Sequence, residues 1–115
     1  MYVPPVRHDR KYFVSLALHE AVQRHLHEDP ERVIELGVAG ALHVRPHSRG
    51  GARDLVDEWI TLLQSRDIES IDAVLTGDDE HAVEMRNIAV FLGVLSEEER
   101  RSVLDEVYRR AEYAK

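Results

Sequence analysis

His19-Glu20, followed by His25 and His27, is the part of this sequence nearest to a metal site. A zinc-protease helix needs histidines at i and i+4 with a glutamate beside the first. Here the second histidine comes six residues on, about 240° round a helix, so this helix alone does not predict a metal and no cofactor is implied. His43 and His47 have the i+4 spacing, but Pro46 lies between them and breaks a helix. The seven histidines do predict pH sensitivity: near pH 6 most become charged and offset much of the formal charge of −7.

Two charged constellations remain. Arg45, His47, Arg49 and Arg53, with Gly50-Gly51 between them, form a basic, glycine-rich segment that opens a helix. Such a segment can hold a phosphate or nucleic acid at a helix N-terminus. It has neither the Lys-Ser/Thr of a P-loop nor a strand before it, and a solvated loop is the plainer reading. The second constellation is acidic: Asp67, Glu69, Asp72, Asp78, Asp79, Glu80 and Glu84. Their spacing is not that of a calcium loop. They read either as a solvated face or as a docking surface for a basic protein. In the second case, reversing the charge of Asp78, Asp79 and Glu80 should slow association and leave the fold intact. No nucleophile elbow, Ser-His-Asp order or paired-acid motif is recognisable, so no enzyme is predicted.

The overall balance fits these constellations. Residues 1–53 hold eight Lys/Arg against six Asp/Glu, a balance of +2; residues 54–115 hold seven against sixteen, a balance of −9. That polarity disfavours nucleic acid along the second half and favours a basic partner there. Charged residues make up 32% and aromatic ones 6%, so the core must be aliphatic. A chain of 115 residues suffices for one modest core, burying roughly two-thirds of its unfolded surface. Cysteine is absent, which removes disulfides and thiolate metal sites. No apolar run approaches the ~20 residues of a membrane span, and the first residues lack a leader's apolar stretch. A cytoplasmic protein with no membrane contact is the expectation.

The elements that must position these residues are all helical: a compact all-α bundle of five or six helices with no sheet. Residues 1–8 read as a loose arm, with Pro4-Pro5, ahead of a single helical domain over 9–115. Asp9 caps a helix from Arg10 to His27, with Phe13, Leu16, Ala17, Ala21, Val22 and Leu26 as its apolar stripe. Asp29-Pro30-Glu31 starts a second, to Leu42, in which Gly37 and Gly40 permit close approach of a neighbour. A third, Ala52 to Ser65, carries Trp59 as the predicted centre of the core. A short helix runs from Ile68 to Leu75. Asp78 or Asp79 caps a fifth, which extends to Leu92 and stops at Gly93 in a left-handed conformation. Val94 and Leu95 then pack back on the core. Ser96 with Glu99 forms a reciprocal capping box for the last helix. That helix carries Arg100, Arg101, Arg109 and Arg110, but Glu97-Glu98-Glu99 in its first turn has the wrong sign to face DNA.

Much of the chain also resembles a family. Leu18 to Val22, Asp29 to Val33, Glu58-Trp59, Leu62-Leu63, Leu75 to Asp79, Arg86 and Phe91 to Arg100 match a pattern found in small all-helical bacterial antitoxin-like proteins. Those proteins belong to toxin–antitoxin operons, often beside a nucleotidyltransferase-type toxin. The resemblance implies a non-enzymatic antitoxin that binds and neutralises a partner toxin. The alternatives are a DNA-binding regulator of its own operon, using Arg7, Arg10, Lys11 and the Arg45–Arg53 loop, and a histidine-dependent metal-binding protein. The family carries Ser-Pro just before the phenylalanine. Here Ala89-Val90 stands there, so the helix should run unbroken to Gly93.

Overall fold

A computed structural model describes residues 9–113 of the chain; the predicted arm, with Arg7, lies outside them. The described residues form six helices: α1 (Arg10–Glu28), α2 (Pro30–Val44), α3 (Gly50–Ser65), α4 (Ile68–Thr76), α5 (Glu80–Arg86) and α6 (Glu97–Tyr113). One 3-10 turn, Arg45–His47, follows α2, and no strand occurs among the described residues. Helix starts follow the side chains that can satisfy orphan N–H groups. Asp9 accepts from the Tyr12 amide at 3.0 Å, Asp29 from Arg32 at 3.3 Å, and Asp67 from Ser70 at 3.2 Å. Asp79 accepts from Ala82 at 3.2 Å and Ser96 from Glu99 at 3.1 Å. Only α3 starts without such a cap: Arg49 precedes it, and Gly50 takes a φ of +56°.

Trp59 is fully buried and central. Its indole Nε1–H donates to the Met85 carbonyl at 2.7 Å, and its ring meets Phe91 edge-on at 5.1 Å. Val22, Leu26, Val33, Leu63, Ile71 and Leu75 complete an aliphatic core. Helix α2 lies along α3, while α1 packs on α2, α4 and α6. On α1 the inward stripe differs from the predicted one. Phe13 faces out, 48% exposed, and Tyr12 and His19 take inward positions with Val22 and Leu26.

The largest departure follows α5. The predicted helix to Leu92 ends at Arg86 instead, and residues 87–96 run as an irregular strap. Asn87 closes α5 by donating to the carbonyls of Val83 and Glu84. The chain then unwinds so that Val90, Phe91 and Val94 reach the core, where all three are buried. Burying side chains of this size contributes about 1.5–3 kcal/mol each, which offsets the helical hydrogen bonds given up. Gly93 stays out of the left-handed region, which only Gly50 and Arg66 occupy among the described residues. The glycines of α2 make room for the strap: a Cβ on Gly40 would stand 2.0 Å from the Val90 carbonyl oxygen, and one on Gly37 2.7 Å from the Phe91 ring. Ser96 caps α6 as expected, but Glu99 does not reach back to close the box. Its carboxylate accepts from His25 Nε2 at 2.8 and 3.0 Å and ties α6 to α1.

Candidate functional site

The seven acids predicted as a docking surface lie on α4, on α5 and at the turns that lead into them. Asp67 and Glu69 stand at the start of α4, Asp72 lies within it, and Asp78, Asp79, Glu80 and Glu84 come after its end. Several have structural work. Asp67 caps α4 and also accepts from the Ser70 hydroxyl at 2.7 Å, which holds its carboxyl below the usual range. Asp72 is half-buried between α4 and α1 and accepts from His27 Nε2 at 2.5 Å. Asp78 accepts from the Tyr12 hydroxyl, which pushes the phenol pKa up. Asp79 caps α5. Glu69, Glu80 and Glu84 are exposed and make no ion pair among the described residues. Glu80 and Glu84, one helical turn apart, share a face of α5. Charge reversal at Asp78 and Asp79 would also remove the Tyr12 bond and the α5 cap, so the informative set is Glu69, Glu80 and Glu84.

The basic segment is also divided. Arg45 Nε donates to Asp57 at 2.6 Å, which lowers the Asp57 pKa and ties this arginine to α3. His47, Arg49 and Arg53 are exposed around the uncapped start of α3. Three histidines serve as links between helices. His25 and His27 lie in the last turn of α1 as predicted, yet each pairs with a carboxylate of another helix. His81 of α5 bonds Glu58 of α3, and that contact raises the His81 pKa. No group of three His, Cys, Asp or Glu able to hold a metal occurs among the described residues.

One site escaped the sequence reading. A groove of about 640 Å³ opens between α1 and the strap. Val14, Leu18 and Val22 form one wall; Phe91, Leu92 and Leu95 form the other. Its polar lining comes from Arg10, Lys11, Arg86, Arg100, Ser15, His19 and Asn87, with no carboxylate. Arg86 is 4% exposed, and its Nη1 donates to the carbonyls of Val74 at 2.9 Å and Gly77 at 2.7 Å. It thus satisfies backbone acceptors at the end of α4, where a cation also suits the helix dipole. Its Nη2 and the Ser15 Oγ are buried without a hydrogen-bond partner among the described residues. Beside them His19, 8% exposed, has a pKa pushed down to about 4 by desolvation, with the Arg86 charge adding to the effect. His19 Nδ1 donates to the Ser15 carbonyl at 2.7 Å; because a carbonyl only accepts, the ring is the Nδ1–H tautomer and Nε2 is an acceptor. The clue in the sequence was Arg86 on the same helical stripe as Ala82 and Met85.

No family model, curated protein or solved structure matches the chain.

Proposed function

We propose that this chain is a non-enzymatic interaction protein, an antitoxin that binds and neutralises a basic partner toxin through the acidic surface of α4 and α5. The observation that carries the reading is the exposed trio Glu69, Glu80 and Glu84, free of ion pairs among the described residues in a half of the chain that holds nine excess negative charges. Carboxylates already paired within a fold have little left to offer a partner, whereas unpaired exposed ones raise the encounter rate with an oppositely charged surface. If the partner handles nucleotides or nucleic acid, its own site is basic, and these glutamates compete there with phosphate. The resemblance to antitoxin-like proteins supports the same reading, as does the partner type it implies. A cytoplasmic site of action goes with it. The described residues contain no helix long and apolar enough to cross a membrane.

Co-expression with the product of the adjacent gene tests this. The proposal expects that product to be toxic alone, harmless with this chain, and recovered in a stable complex. A harmless neighbour that forms no complex rejects it. The regulator alternative draws on His47, Arg49 and Arg53, exposed at the uncapped start of α3. It expects operator binding whose affinity falls steeply with salt. The metal-binding alternative gains no support from the described histidines.

A further inference from the structure

We propose that the groove between α1 and the strap binds a small amphipathic carboxylate, with its head group at Arg86 and Ser15 and its apolar body along the walls. This site is separate from the acidic surface and does not depend on the antitoxin reading.

The volume, about 640 Å³, falls within the ~300–1,000 Å³ typical of small-molecule sites, which are mostly apolar with a few placed polar groups. Charge selects the kind of ligand. In a chain of net −7, this groove has four cationic side chains in its lining and no Asp or Glu. Lys11 and Arg100 have no ion-pair partner among the described residues, and they leave a positive rim. Arg86 narrows the choice further. A guanidinium nitrogen can only donate, so the buried, unpartnered Nη2 calls for an acceptor. Ser15 lines the groove too, and its buried hydroxyl, likewise unpartnered among the described residues, can donate as well. Two donors suit the two oxygens of a carboxylate. A phosphate dianion would bring more charge and more lone pairs than these two donors can satisfy, at a higher desolvation cost. Asp78 and Asp79 act on Arg86 through space, but neither accepts from Nη2. The apolar requirement comes from the other wall, where Leu92 stands 69% exposed and gains cover from an occupant.

The fold supplies its own reporter. Trp59 is the chain's single tryptophan and meets Phe91, a wall residue, edge-on at 5.1 Å. Decanoate, kept below its micellar concentration, is titrated against the full chain and followed by Trp59 fluorescence and by calorimetry. Decanol serves as the uncharged control. The proposal expects saturable decanoate binding, with decanol at least about tenfold weaker, the low end of a charge-assisted hydrogen bond. Leu92→Asp places a like charge at the mouth on an exposed position, and should weaken decanoate by about tenfold or more while preserving the circular dichroism spectrum. Arg86→Met, if it folds, should abolish the preference for decanoate over decanol. The absence of saturable binding by both methods, equal affinity for the two compounds, or full decanoate affinity in folded Leu92→Asp would each overturn the assignment.

Discussion

Gly40→Ala tests whether the strap sits where α2 needs it. On propensity alone, alanine in a helix interior is better than glycine by about 1 kcal/mol. The contact reverses the sign. The added Cβ would lie 2.0 Å from the Val90 oxygen and 2.9 Å from the Val90 carbonyl carbon, whereas ordinary contact begins near 3.4 Å. The opposing atoms are backbone, so no rotamer change relieves the clash. Either α2 or the strap must move by about 1.4 Å, the difference between those two distances. Overpacking costs about 1–3 kcal/mol, occasionally more, and this contact belongs at the upper end because displacing Val90 also disturbs Phe91 and Val94. Subtracting the propensity gain leaves a net loss of about 2 kcal/mol. In urea unfolding followed by far-ultraviolet circular dichroism, the midpoint should fall by about 1 M. Gly51→Ala is the control: nothing lies within 4 Å of its Cβ, so it should be neutral or stabilising by up to ~1 kcal/mol. If Gly40→Ala were as stable as the native chain, the close approach of the strap to α2 would be refuted.

Three other perturbations have defined outcomes. The folded His19 pKa, about 4, lies below its ordinary 6.5, so His19 contributes stability that is fully present above pH 6.5 and lost as pH falls towards 4, by about 3 kcal/mol. His81, with its raised pKa, has the opposite slope; His19→Gln should flatten the acid-side loss in urea midpoints taken at pH 7 and pH 4.5, and an unchanged loss would contradict the burial argument. Trp59→Ala should cost about 3–5 kcal/mol in equilibrium unfolding, and a loss under ~1 kcal/mol would show that the ring is not the core's centre. Asp79→Ala should cost about 1 kcal/mol through the lost cap while Glu84→Lys stays within about 0.5 kcal/mol; equal thermal stability of the two would refute the division between structural and exposed acids.

Four helices were legible because their starts are chemically marked: Asp9, Asp29, Asp79 and Ser96 all cap where their types and positions imply, while Asp67, read only as a surface acid, caps α4. Trp59 was legible as the chain's single tryptophan, set among the apolar residues of α3. The strap was not, because Asn87 to Leu92 has no helix breaker; what ends α5 is the burial of Val90 and Phe91 against glycines fifty residues away in α2. Local sequence has no access to that contact. The phase of α1 misled for a related reason. Tyr12, Ser15, His19, Val22 and Leu26 follow a three-four spacing, but three of the five are polar and adjacent Phe13 draws the stripe to itself. The acidic residues were legible as charges but not as roles, since a cap, a half-buried carboxylate bonded to a histidine and an open carboxylate read alike in sequence.

The proposed interface is tested most directly by the association rate with the partner toxin as ionic strength varies, comparing the native chain with the triple variant Glu69→Lys, Glu80→Lys and Glu84→Lys. If this surface meets a basic partner, the variant's on-rate at low salt should drop by about tenfold or more, and the two rates should converge as salt screens the charges. Equal on-rates at low salt would contradict docking through α4 and α5.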